Sequence, residues 1–329
     1  MVTNPHPSVN FFLSDISPTD KKWDKHKAES VRISNAFALH KNFTKRGYNI
    51  NQCAEKLIYH ATNNPDKPLH LFSADFCRDR ACPTCQWRRS LRWVATMHQQ
   101  LPAVNEKYPT HRWLFLTLTV RNCPITELRD TIQDMNKGFK ALARTLKKKF
   151  PTFGYVRTTE VTRGNDDSVH PHFHVMLFVP AEYFRGRGYI KQANWVTMWQ
   201  DAMKLDYAPN VDIRTVKAKK NTSQNAQNDA VSHAIAETMK YSVKASDLLK
   251  TAKNGDNEWL YEYFRQVKGL RFLVVGGSLK GLIKAQWQKD DETNQDLITV
   301  GGDDTDQETE TEPTEIHFTF DRLLWRYKH

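Results

Sequence analysis

HPHFHVMLFV, residues 170–179, sets three histidines at every second position ahead of an apolar run. Successive side chains of a β-strand point to opposite faces, so His172 and His174 project together while Phe173 between them is directed into a core. Two imidazoles thereby converge on one point. The apolar run 175–179 makes this a buried element, where neutral imidazole nitrogens are good ligands for a divalent ion. His170 shares the same face, although Pro171 can begin the strand after it. The alternative is a set of hydrogen-bonded histidines with no metal.

Upstream, residues 155–162 read as a second strand, and the turn chemistry of 164–167 joins the two as an antiparallel hairpin. That hairpin brings Glu160 of TTEVTR alongside the histidines as a third ligand. A carboxylate with two imidazoles suits magnesium or manganese for phosphate chemistry, with zinc as an alternative. Residues 113–120, WLFLTLTV, read as a further core strand with Thr117 and Thr119 on one face. Between the strands, Leu128, Ile132, Met135, Phe139, Leu142 and Leu146 predict a helix over 125–149 that ends in Lys147–Lys149, where cations suit a helix C-terminus. A helix over 192–205, a strand over 211–217, an exposed loop over 221–229, a further element at 259–267 and an apolar run at 270–275 complete this region.

The helix expected after 229 carries AETMKYSVK, in which Glu237 and Tyr241 are four residues apart and share a face. Lys244 follows. A free phenol has a pKa near 10 and is a poor nucleophile at neutral pH, so a nucleophilic Tyr241 needs a polarised target or a cation such as Lys244. Taken alone, the same pattern also describes an ordinary amphipathic surface helix.

Five cysteines, an odd number in a chain whose first residues lack a basic patch followed by an apolar stretch, argue against a disulfide framework. Cys77, Cys82 and Cys85 are close enough in sequence to share one ion, with Cys53, His60 or His70 as fourth ligand, and Cys123 reads as a free thiol. A helix over 84–99 follows, with Trp87, Leu91 and Val94 as its inward stripe and Arg88, Arg89 and Arg92 elsewhere on the cylinder, available to DNA. The first 50 residues are polar, with a helix near 31–39 and no chemistry of their own.

The 329-residue chain has a formal charge of +11, but residues 290–315 hold eleven Asp and Glu and no Lys or Arg. Without them, 26 acidic residues face 48 basic ones, a balance of +22 that fits a phosphate backbone. No segment approaches the roughly 20 apolar residues of a membrane span, which points to a cytoplasmic protein with no membrane partner. The expected organisation is a polar segment 1–50, a cysteine-rich zinc-binding and DNA-contacting unit 51–110, a catalytic domain 111–289, an acidic disordered stretch 290–315 and a C-terminal segment 316–329 that docks back as a strand and a helix.

FLTLT (115–119), HPHFH (170–174) and KYSVK (240–244), in that order, together with FCRDRACPTCQWRRS (76–90), resemble the rolling-circle replication initiators of small bacterial plasmids within the HUH endonuclease superfamily, in the branch with one tyrosine and an accompanying glutamate. The resemblance covers roughly residues 53–244. It implies an α+β fold, an antiparallel sheet with a ferredoxin-like core, the histidine strand central and helices on one face. It also implies that Tyr241 attacks an origin phosphodiester, stays linked to the 5′ end and frees a 3′ hydroxyl, that Glu237 assists the terminating cleavage, and that His172, His174 and Glu160 hold magnesium or manganese. Cys53, Cys77, Cys82 and Cys85 would hold a structural zinc, as the resembling family does. The implied partners are single-stranded or hairpin origin DNA and a host helicase and polymerase. A conjugative relaxase or a single-strand transposase would share this chemistry, and a zinc-containing DNA-binding repressor without nuclease activity is the reading from another class.

Overall fold

The computed structural model describes residues 11–65, 67–216, 224–239, 243–250, 257–283, 295–298 and 314–329. It divides into two compact units, one made of 1–95 with 291–329 and the other of 96–290. The boundaries expected from sequence therefore move. Residues 11–50 belong with the cysteine-rich region, and so does the C-terminal segment.

In the first unit, α1 (Leu13–Ile16), α2 (Lys21–Ala38) and α3 (Thr44–Gln52) precede β1 (Lys56–Ala61), β2 (Leu69–Ala74) and α4 (Pro83–Lys107), the last running past the division between the units. Helix α2 is far longer than the turns expected near 31–39. Its inward row of Trp23, Lys27, Ser30, Ser34 and Phe37 contains polar members that hide the period. Lys27 is fully buried because its ammonium donates to the carbonyls of Asn51 and Cys53 at 2.6 and 2.8 Å and pairs with Glu55 at 2.9 Å.

In the second unit the chain runs β3 (Arg112–Thr119), α5 (Leu128–Lys149), β4 (Gly154–Arg163), β5 (Val169–Val179), α6 (Gln192–Met203) and β6 (Val211–Thr215). There follow α7 (Gln224–Thr238), α8 (Ala245–Leu248), α9 (Glu258–Gln266) and β7 (Leu273–Gly277). The sheet order is β6-β3-β5-β4-β7, every pairing antiparallel, which places the histidine strand β5 in the centre. The β4–β5 connection turns through Asp167 at φ 66°, and the Asp166 carboxylate accepts from the backbone N–H and hydroxyl of Ser168.

Phe173, Val175, Leu177 and Val179 of β5 pack with Met135, Phe139, Leu142 and Leu146 of α5 and with Trp195 and Trp199 of α6. The Trp199 indole N–H donates to the Thr119 carbonyl at 2.9 Å, which fixes α6 against β3. Arg157 lies beneath the same face, 4.0 Å from the Phe173 ring centroid and donating to Asn136 at 2.6 Å, and burial lowers its pKa to about 10. The opposite face of the sheet is not bare. Thr158 donates its hydroxyl to the Thr238 carbonyl at 2.6 Å, bringing the end of α7 onto the face that carries the histidines. The expectation of helices on one face only is thus corrected.

Beyond 290, α10 (Gln295–Ile298) precedes β8 (Glu315–Asp321) and β9 (Arg326–Lys328), which complete a four-stranded sheet of order β2-β1-β8-β9. The C-terminal segment is a pair of strands where a strand and a helix were expected, since Asp321 accepts the N–H groups of Leu323 and Leu324 and turns the chain back. Within the acidic stretch, Leu297 and Ile298 are buried, so disorder throughout 290–315 is also corrected; its carboxylates between 299 and 313 lie outside the described residues. No helix among the described residues is long and apolar enough to cross a membrane.

Phe173 is fully buried between the two helices and the sheet. Phe173→Ala is expected to lower the unfolding free energy by about 3–5 kcal/mol in denaturant titration; a loss below ~1 kcal/mol would mean that this core is not close-packed.

Candidate functional site

Directly opposed residues of an antiparallel pair project to the same face. The β4–β5 register opposes Glu160 to His172 and Thr158 to His174, so the carboxylate and both imidazoles share one face of the central strands. One carboxylate oxygen, Glu160 Oε2, lies 2.9 Å from His174 Nε2 and 3.4 Å from His172 Nε2. The three side chains retain only 11–12 % exposure.

The outward nitrogen of His172 faces the His170 carbonyl at 3.2 Å. A carbonyl can only accept, so Nδ1 of His172 donates there and Nε2 is the nitrogen turned toward Glu160. The outward nitrogen of His174 lies 3.4 Å from the Thr117 hydroxyl, from the strand on the other side. Burial pushes the Glu160 carboxyl up, but hydrogen bonds and charge from His172 and His174 outweigh it and hold the group well below the usual carboxylate range. An anionic oxygen and two imidazole nitrogens facing one point repel unless a proton or a cation sits among them. Their ligand atoms lie within 4.8 Å of one another, so this trio can hold a metal ion. His170 shares the face but not the group, because its Nδ1–H donates to Asn122 at 2.9 Å.

The nucleophile segment is described only in part. Helix α7 begins at Gln224, inside the expected loop 221–229, and ends at Thr238. Polar composition cannot separate a loop from a polar helical turn, since glutamine and alanine are fair helix formers. Glu237 is half-buried in the last turn of α7, next to the Thr238 carbonyl that Thr158 holds. Tyr241 lies outside the described residues, and so does its expected helical spacing from Glu237. Lys244 is exposed at the start of α8. Thr158, which ties α7 to the histidine face, was not singled out from sequence. Its parity with Glu160 was the available signal.

The second group is the cysteine cluster. Cys53 follows α3, Cys77 follows β2, and Cys82 and Cys85 flank the start of α4. The Cys53 and Cys77 sulfurs lie 3.4 and 3.8 Å from that of Cys85, and all four thiols lie within 4.8 Å of one another. These separations are too long for a disulfide and close to the ~3.8 Å edge of a tetrahedron with metal–sulfur bonds of about 2.3 Å. The Cys82 thiol is pushed up by burial, but hydrogen bonds from Cys53, Cys77, Cys85 and Ser30 more than reverse this and hold it well below the ordinary thiol range. His60 and His70 oppose each other across β1–β2 and are not part of the group. Cys123 is a buried free thiol, raised by burial, accepting from the Thr131 hydroxyl.

The arginines expected at DNA are a correction. Arg88 is buried, donates to the carbonyls of Leu297 and Ile298 at 2.7 Å each, and lies 5.1 Å from the Trp23 ring centroid. Arg89 is buried and donates to the Arg78 carbonyl at 2.6 Å. Neither presents its guanidinium to a ligand, and Arg92 is half-buried. Backbone carbonyls remote in sequence satisfy these cations, which no local pattern foretells.

A model of the replication protein family matches residues 68–328. The chain is 34% identical to "Protein rep" of Bacillus amyloliquefaciens over 309 residues, covering 89% of this chain and 90% of that protein. It is 33% identical to "Protein rep" of Lactiplantibacillus plantarum over 88% of this chain and 89% of that one, and 35% identical to "Replication protein" of Staphylococcus aureus over 61% and 84%. No solved structure matches the chain significantly.

Purified protein is expected to retain about one tightly held metal ion per chain at the four-thiol site after dialysis, and Cys82→Ser to lose it with a large drop in melting temperature. Elemental analysis of both proteins checks this; full metal retention by the variant would place the ligands elsewhere. His172→Ala is expected to weaken manganese binding by about 10–100-fold in calorimetric titration while leaving the thiol-bound ion in place.

Proposed function

The chain belongs to the replication protein family, and on that premise we propose that it initiates rolling-circle plasmid replication by nicking one strand of the origin through Tyr241. The observation that carries the reading is the convergence of His172 and His174 on Glu160 on the sheet face to which Thr158 draws the end of α7. The order β3-α5-β4-β5-α6-β6, with those strands arranged β6-β3-β5-β4, supports a ferredoxin-like HUH core.

The Tyr241 phenolate oxygen attacks the scissile phosphorus. A bond from tyrosine to the 5′ phosphate forms as the bond to the 3′ oxygen breaks, and the released 3′ hydroxyl takes up a proton. A host polymerase extends that hydroxyl behind a host helicase. Because one phosphoester replaces another, little free energy is lost, and attack by a 3′ hydroxyl on the phosphotyrosine reseals the strand. The exposed Lys244 ammonium offsets charge on the phosphate or the phenolate. Glu237 accepts a proton from water at termination, so that a second cleavage needs no second tyrosine.

His172, His174 and Glu160 fit magnesium or manganese, hard ions that take oxygen ligands and accept imidazole. Such an ion, when bound, withdraws charge from the non-bridging oxygens of the scissile phosphate. Cys53, Cys77, Cys82 and Cys85 fit a closed, four-sulfur zinc site with a structural role.

Incubating the protein with labelled single-stranded origin DNA and manganese is expected to give a protein-linked DNA band on a denaturing gel. Tyr241→Phe abolishes it, and chelation of the manganese suppresses it. Glu237→Ala retains the first linkage and loses release at termination by about 100-fold or more. Survival of the band in Tyr241→Phe would assign the nucleophile to another residue, and DNA binding without any band would favour a repressor.

A further inference from the structure

Arg88 and Arg89 are buried, whereas helices α2 and α3 of the same unit carry exposed cations. A five-residue connection, 39–43, joins the two. Gly47 lets them approach closely, since a Cβ there would stand 3.0 Å from the Phe37 Cβ and from the Ser34 carbonyl oxygen. Ile50 and Gly47 are buried against α2, which turns Lys45, Tyr48, Asn49 and Gln52 outward on one side of α3. Tyr48 is 66 % exposed. The exposed residues of the pair include Lys21, Lys22, Lys25, Arg32, Lys41 and Lys45 and not one carboxylate. Arg46, in contrast, is taken up in a two-pronged pair with Asp79 at 2.7 Å for each bond.

We propose that α3 enters the major groove of duplex origin DNA, reading base edges with Asn49 and Gln52 while the cations of α2 and the connection hold the phosphates. This rests on the chain being an origin-acting initiator, as argued above. An α-helix of about 10–12 Å diameter fits the roughly 12 Å major groove, and side-chain amides offer the paired donor and acceptor that adenine presents there. A second helix presented by a first across a short connection is a recurrent way of reading that groove. A single strand would instead call for a row of stacking rings, and the exposed side of α3 holds one aromatic residue, Tyr48.

The test compares binding of full-length protein to duplex DNA of its own origin and to a scrambled duplex, for wild type, Asn49→Ala/Gln52→Ala and Lys21→Ala/Lys25→Ala/Lys45→Ala. All the altered side chains are exposed, and unchanged melting curves verify folding. The amide variant is expected to lose roughly 10-fold or more of the preference for origin over scrambled duplex. The lysine variant is expected to weaken both and to reduce the slope of log affinity against log salt by about 2–3. Covalent linkage to a single-stranded origin oligonucleotide is measured in parallel and stays at the wild-type level in the amide variant. An unchanged origin preference in that variant overturns the proposal, whether or not the linkage forms. Loss of single-strand binding with duplex binding intact in the lysine variant overturns it too. Absence of covalent linkage in wild type, with the predicted loss of preference in the amide variant, would overturn the tyrosine mechanism and leave α3 as the reading helix.

Discussion

The pairing of β4 with β5 in one particular register is the constraint on which the candidate centre depends. Strand side chains alternate with a period of two, so a slip of one residue would drive His172 and His174 in among Phe139 and Trp199 and turn Phe173 out toward Glu160. The register is held from both ends and from below. At the turn, Arg163 donates to Asp167 at 2.9 Å and Asp167 adopts the left-handed conformation. At the far end, Val175, Leu177 and Val179 lock into the helices. Beneath, Arg157 can reach Asn136 and the ring of Phe173 only if Phe173 faces the core.

That dependence explains why the centre was legible in the sequence. A strand with one buried and one functional face announces its alternation, and helix α5 announces its stripe, because each is read from neighbours a few residues apart. The grouping of four cysteines was legible for a similar reason, three of its members lying within nine residues of one another. What stayed hidden depends on partners far along the chain. Strand β8 pairs with β1, so the C-terminal strands are specified by residues more than two hundred positions away. Helix α3 is short and polar on its outer side, and its buried contribution is Gly47 and Ile50, too little for a periodic signal.

Charge was the least reliable guide, for a definable reason. Lys27, Arg88 and Arg157 are all buried, and each is stabilised by carbonyl oxygens, a carboxylate, a side-chain amide or aromatic faces rather than by water. Removing the acceptors of such a cation leaves an uncompensated buried charge, which is far more damaging than losing an exposed lysine. The net charge of a chain therefore bounds its affinity for a polyanion without locating it. Location follows from which cations remain in water and away from carboxylates, and in the first unit that criterion turns attention from α4 to α2 and α3.

The chain order adds a constraint on assembly. The first unit draws on both ends of the chain, while the second is continuous from 96 to 290. During synthesis the second unit can bury its core before residue 314 emerges, whereas the first cannot complete its sheet until β8 has paired with β1. Until then Leu57 and Tyr59 lack the cover of Phe318 and Tyr327, all four of which are at most 1 % exposed in the finished structure. The four clustered cysteines all lie between 53 and 85, so an ion held among them would organise this half-built unit before β8 and β9 pair. A filled thiol site would then compensate for a topology in which part of the core of β1 is supplied by a strand more than two hundred residues downstream.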